Sequence, residues 1–92
     1  MSVALGNNTI ATGRAAMAIG QYNIEDTSST ATYSSYGTGA RKYLFTIGNG
    51  TADDARSNAM TVDWDGNTAI AGSLMVGSSS FGSQLPTTGT AG

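Results

Sequence analysis

The four residues Val3-Ala4-Leu5-Gly6 return as Met17-Ala18-Ile19-Gly20, an offset of 14 at every position. Ile10 and Ile24 share that offset, and Gly13 sits midway between the two glycines. A self-similar unit this short implies coils stacked on one another rather than an ordinary mixed core. Within each unit large apolar residues alternate with alanine: Val3 and Leu5 around Ala4, Met17 and Ile19 around Ala18. Period two is the signature of a strand. The first unit holds two strand-like pieces, 2–5 and 9–12, separated by Gly6-Asn7-Asn8. Gly and Asn tolerate positive φ and suit tight corners. Fourteen residues leave no room for the helices of ordinary solenoids. Residues 2–24 therefore predict a short parallel β-roll, with Leu5 stacked over Ile19 and Ile10 over Ile24. Two coils fall short of the roughly three that a solenoid needs. Either more repeats lie upstream or neighbouring chains supply the missing contacts.

The rest of the chain reads as β-rich. Residues 25–40 break the repeat with the polar run Glu25-Asp26-Thr27-Ser28-Ser29-Thr30, followed by Tyr33, Tyr36, Gly37 and Gly39. This is an inserted surface loop, and loops beyond about 12–15 residues are usually functional or disordered. Residues 43–47 predict a strand with Tyr43, Phe45 and Ile47 on one face and Leu44 and Thr46 on the other. Ile47-Gly48 lies 28 residues after Ile19-Gly20, twice the repeat. That spacing is either coincidence or the roll resuming after the insertion. Residues 51–58 are polar, with at most one helical turn. Met60, Val62 and Trp64 then alternate with Thr61, Asp63 and Asp65 before a second strand containing Thr68 and Ile70. A two-residue Asp65-Gly66 turn would send Ile70 to the wrong face. A three-residue connection, with Gly66 or Asn67 left-handed, keeps Met60, Val62 and Ile70 together. Residues 41–77 thus form a β-hairpin region, and 78–92, rich in Ser, Thr and Gly, reads as a linker or end cap with Phe81 and Leu85 as apolar anchors.

Composition narrows function mostly by exclusion. The 92 residues allow one small domain, and a chain this short buries only about 60% of its unfolded surface. Such domains lean on disulfides, metals or oligomerisation. There is no cysteine and no histidine, so disulfides, thiolate or imidazole metal sites, and the familiar nucleophile–base triads are excluded. Oligomerisation remains open. Net charge is -2 and charged residues make up 11% of the chain, which gives no basic footprint for nucleic acid. No apolar run approaches the ~20 residues of a membrane span, and the start of the chain shows no signal-peptide pattern. Asp63 and Asp65 flank Trp64, but beside a turn they read as solvated polar positions. Counting Asp63 as the first place of a calcium loop puts Leu74 at the twelfth, and an apolar residue cannot ligate. Gly37-Thr38-Gly39 and Gly48-Asn49-Gly50 open no helix, so nucleotide binding has no support. No catalytic, cofactor-binding or metal-binding residue is assigned. Trp64 continues the Met60–Val62 face and reads as core. Tyr33 and Tyr36 are the candidate receptor contacts, suited to stacking on sugars or meeting a protein, with packing down the loop as the equally weighted alternative.

The repeat as it stands in 2–6 and 16–20 resembles the head repeats of trimeric adhesins. Ile47-Gly48-Asn49-Gly50-Thr51, Ala55-Arg56-Ser57-Asn58-Ala59 and Val62-Asp63-Trp64-Asp65-Gly66-Asn67 resemble a segment of phage and prophage tail-fibre or appendage proteins. The closing Leu85-Pro86-Thr87-Thr88-Gly89-Thr90-Ala91-Gly92 is similar to the end region of such fibres. The two shorter pieces around Arg56 and Trp64 are the more discriminating ones, whereas the 25–40 loop has no counterpart there. The resemblance implies an all-β, intertwined, elongated homotrimer: a structural, non-enzymatic segment of a virion's tail fibre, without cofactor, with a host-surface receptor or glycan as outside partner. Two alternatives stay open: the head of a bacterial trimeric autotransporter adhesin at the cell surface, and the stem of a glycan-degrading tailspike.

Overall fold

The protein is described by a computed structural model covering residues 1–77, 79 and 80. Strands β1 (Val3–Asn7), β2 (Met17–Gln21), β3 (Tyr43–Asn49), β4 (Asn58–Asp63) and β5 (Thr68–Ile70) form one mixed sheet in chain order. A small second sheet pairs β6 (Met75–Val76) with β7 (Ser79–Ser80). Apart from one 3-10 turn at Ser34–Tyr36, no helix occurs among the described residues. The class is all-β. The expected linker or end cap at 78–92 lies outside the described residues, except for Ser79 and Ser80.

The repeat reappears as register. β1 runs parallel to β2 with Val3 beside Met17 and Gly6 beside Gly20. β2 runs parallel to β3 with Ile19 beside Ile47 and Gly20 beside Gly48. The 28-residue spacing is therefore pairing, not coincidence, and the intervening loop is an insertion between neighbouring strands. Gly6, Gly20 and Gly48 form a column in which a methyl group on Gly6 would run into the Gly20 carbonyl, and one on Gly20 into that of Gly48. Gly6 and Gly20 also have φ of 132° and 93°, closed to most side chains.

The second leg of each unit departs from expectation. Residues 9–12 form no ladder. Side-chain amides take the place of strand pairing. Asn23, only 1% exposed, accepts the Ile10 N–H on Oδ1 at 2.7 Å and donates Nδ2 to the carbonyls of Ile10 and Ile24 at 2.9 and 3.1 Å. Asn58 Oδ1 accepts the Ile24 N–H at 2.8 Å. Arg56 ties the same corner, donating Nη1 to the carbonyls of Asn8 and Asn23 while its guanidinium lies over Tyr22. These bonds satisfy backbone groups that would otherwise be costly to bury.

β4 returns antiparallel to β3, and β5 antiparallel to β4. The β4–β5 hairpin has the expected three-residue connection. Asp63 N–H donates to the Asn67 carbonyl, Gly66 N–H to the Asp63 carbonyl, and Gly66 has φ of 83°. Met60 consequently faces Ile70, and Val62 faces Thr68. Residues 51–58 contain no helix; an Ala52–Ala55 bridge closes a tight turn instead. One face assignment is corrected. Tyr43 pairs with Asp63 but Phe45 pairs with Val62, so β3 carries an extra residue between them. Such a bulge turns what precedes it over, and Tyr43 joins Thr46 and Thr61 rather than Phe45 and Ile47.

Candidate functional site

Strand alternation and register divide the sheet into two unlike faces. One face carries two rows that cross all five strands: Leu5, Ile19, Ile47, Met60 and Ile70, then Val3, Met17, Phe45, Val62 and Thr68. None of these ten residues is buried, and Leu5 is 60% exposed. The other face carries Ala4, Ala18, Thr46, Thr61 and Ala69, and there Ala18, Thr46 and Thr61 are buried, the first two among the legs at 10–12 and 23–26. Among the described residues the buried apolar ones are Ala16, Ala18 and Ala40, all alanine. Large side chains normally fill interiors and small ones tolerate exposure. Here the arrangement is inverted, and the big apolar residues face out.

The inserted loop is held down at both ends. The Asp26 carboxylate accepts the N–H and hydroxyl of Ser28 and the N–H of Tyr43. The Asp26 carbonyl accepts Thr12 Oγ1 and Arg41 Nη1, and Arg41 also reaches the Ser28 carbonyl. Arg14 N–H donates to the Gly39 carbonyl. Between these anchors Tyr36 stacks on Trp64, with ring centroids 4.6 Å apart and planes 12° from parallel. Tyr36 donates its hydroxyl to Asp65 Oδ1 at 3.0 Å, and Trp64 donates Nε1 to the Arg41 carbonyl at 2.7 Å. The hydrogen bond and charge of Asp65 raise the Tyr36 pKa above its ordinary 10.0. Trp64 lies beyond the end of β4 and is half-buried under the loop, not set in a sheet core as expected. Of the two candidate contacts, Tyr36 is exposed and spends one ring face on Trp64, whereas Tyr33 is half-buried.

Asp63 and Asp65 are each held by neighbouring groups. Partial desolvation opposes ionisation of Asp63, but bonds from the side chain and backbone of Asn67 and the backbone of Asp65, with the Lys42 charge, hold its pKa below the usual value. Asp65 is committed to Tyr36. Among the described residues no group of three or more Asp or Glu is placed to hold a metal ion.

A concave feature lies at β4 and β5 beyond the covering legs, lined by residues of both faces of the sheet. It consists of two adjoining hollows of about 250 and 230 Å³ that share Tyr43, Thr61 and Ala69. Asn58, Met60, Ile70 and Ala71 line one; Lys42, Asp63, Asn67 and Thr68 line the other. Lys42 Nζ stands 5.4 Å from the centre of the Tyr43 ring. Sequence reading missed this place because it depends on the bulge that turns Tyr43 over. In the sequence its only trace is the neighbouring small residues Ala69 and Ala71, which read equally well as strand filler. Compared with known proteins, the chain matches no family model, and no curated protein or solved structure shows significant similarity to it.

Proposed function

We propose that this chain is a structural, non-enzymatic segment of a homotrimeric phage tail fibre or related appendage, built as a short β-roll of 14-residue coils leading into a hairpin region. The observation that carries the reading is the open apolar face. An uninterrupted array from Leu5 to Ile70, where the buried apolar side chains among the described residues are alanines, is the pattern of half a core. Identical chains about a threefold axis would close that core and cover one another's edges at β1 and β5. The 14-residue register supports the roll. The engagement of both Asp63 and Asp65 in turn and loop contacts supports a role without catalysis. The Arg56 and Asn58 bonds give the resemblance around Ala55–Ala59 a structural purpose: they clamp the roll to the hairpin region. Three copies would present three identical outer surfaces, so weak contacts with a host surface would add as avidity.

Negative-stain images of the purified protein test this. Elongated particles with threefold end views are the expected result. A uniform field of compact particles of monomer size overturns the reading.

A further inference from the structure

The larger hollow at β5 and the exposed Leu5 on β1 lie at opposite ends of one row. Leu5, Ile19, Ile47, Met60 and Ile70 follow one another across the sheet, so Leu5 ends the row at the β1 edge and Ile70 at the β5 edge. Leu5 is 60% exposed. At the far end Met60, Ile70, Ala71 and Tyr43 help line the hollow of about 250 Å³. That exceeds the ~150 Å³ at which an apolar cavity takes up benzene, so a leucine side chain fits. A chain's own Leu5 does not reach it, because four strand spacings, about 19 Å, separate the two edges.

The edges also agree in direction and in sequence. β1, β2 and β3 run parallel, β4 reverses and β5 reverses again, so β5 points the same way as β1. Thr68-Ala69-Ile70 repeats the order of alanine then branched aliphatic found in Ala4-Leu5 and Ala18-Ile19. β1 already pairs in parallel with that order at β2, Ala4 beside Ala18 and Leu5 beside Ile19. Rotation about an axis along the strands keeps every strand's direction and brings unlike edges together, β1 against β5. A twofold axis across the strands sets like edges together and antiparallel.

We propose that copies of this chain join edge to edge, β1 of one parallel to β5 of the next, with Val3 beside Thr68, Ala4 beside Ala69 and Leu5 beside Ile70. The Leu5 side chain sits in the neighbour's hollow, which only a second copy completes. The contact pairs the open backbone of both edges and carries the apolar rows from one copy into the next. It deepens the homotrimer reading and rests on it only for closure: a head-to-tail contact gives a ring when the rotation closes and a filament when it does not.

The chain has no cysteine, so introduced thiols report the contact without background. The test is the full chain carrying Leu5→Cys and Ile70→Cys, oxidised with glutathione disulfide and run on denaturing gels without reductant. Each single variant is run beside it, and the solution mass of the unsubstituted chain is measured in parallel. Parallel neighbours hold the two Cα atoms about 4.8 Å apart, inside the roughly 4.4–6.8 Å that a disulfide spans, whereas one chain alone does not. A covalent trimer from the double variant and none from the single ones is expected. Val3→Cys with Thr68→Cys reads the same register if the first pair disturbs folding. Leu5→Ala should raise the concentration of half-dissociation about tenfold or more; an unchanged value overturns the seated side chain. Disulfide dimers from either single variant overturn the proposal, because they place like edges together. An assembled trimer whose cysteine pairs do not crosslink overturns it and leaves the trimer standing. Covalent ladders beyond the trimer support the edge contact and remove the closed trimer. A monomer without crosslinks removes both.

Discussion

Asn23 does the work that backbone pairing does elsewhere in the molecule. It is the largest fully buried side chain among the described residues, and its amide holds both polar groups of Ile10 and the carbonyl of Ile24. Asn23→Ala removes the partner of those part-buried groups, at about 1–3 kcal/mol for an orphaned buried partner. We expect a loss near the top of that range, read from the shift in denaturant midpoint at unchanged slope; a loss below about 0.5 kcal/mol would show that water replaces the amide. Tyr36 offers a second residue-level test. Its folded pKa is raised, so the neutral hydroxyl bound to Asp65 stabilises the fold below the ordinary value of 10.0, and that contribution is lost as pH rises through the folded value. Tyr36→Phe should remove this part of the alkaline destabilisation. An identical slope between pH 9 and 11 in both proteins would contradict the assignment.

At the scale of the element, the glycine column fixes the register of the parallel strands. Gly20→Ala combines a positive φ with a collision against the Gly48 carbonyl, so β2 must move relative to β3. Gly66→Ala has a similar φ of 83° but open space around it. The second change should cost only the roughly 1–2 kcal/mol of a left-handed L-residue. The first should cost clearly more and broaden the amide spectrum of β1 to β3. Equal costs in thermal melts would mean that the column does not set register. The contrast also shows what the sequence makes legible. The offset between Gly6, Gly20 and Gly48 is a local identity that survives into hydrogen-bond pairing. The three-residue turn followed from the need to keep Met60, Val62 and Ile70 on one face, and it is present. The bulge at Tyr43 leaves no such trace, because it arises from how Asp26 holds the Tyr43 N–H at the exit of the loop. With it went the hollows over β4 and β5. Residues 9–12 misled for a related reason: their alternation reads as strand, while a distant amide supplies the partner. Alternation points Trp64 into the core, but the strand ends one residue earlier, at Asp63.

The described residues form one five-stranded sheet, beside a small two-stranded one, with the large apolar side chains on an uncovered face. Exposed rows of this size mark association surfaces in soluble proteins, and the chain has few other means of support. It lacks cysteine and carries one ion pair among its described residues, Arg56 with Asp53. The account therefore stands or falls on shared burial between copies. The most direct measurement is the solution mass of the intact chain by light scattering across a dilution series, alongside Ile19→Asp. Ile19 sits in the middle of the outward rows between Leu5 and Ile47, so a carboxylate there would have to be buried in any assembly that uses this face. The account predicts three times the 9.3 kDa chain mass, stable on dilution, and a monomer or unfolded chain for Ile19→Asp. A folded protein of single-chain mass at every concentration, unaffected by Ile19→Asp, would contradict it.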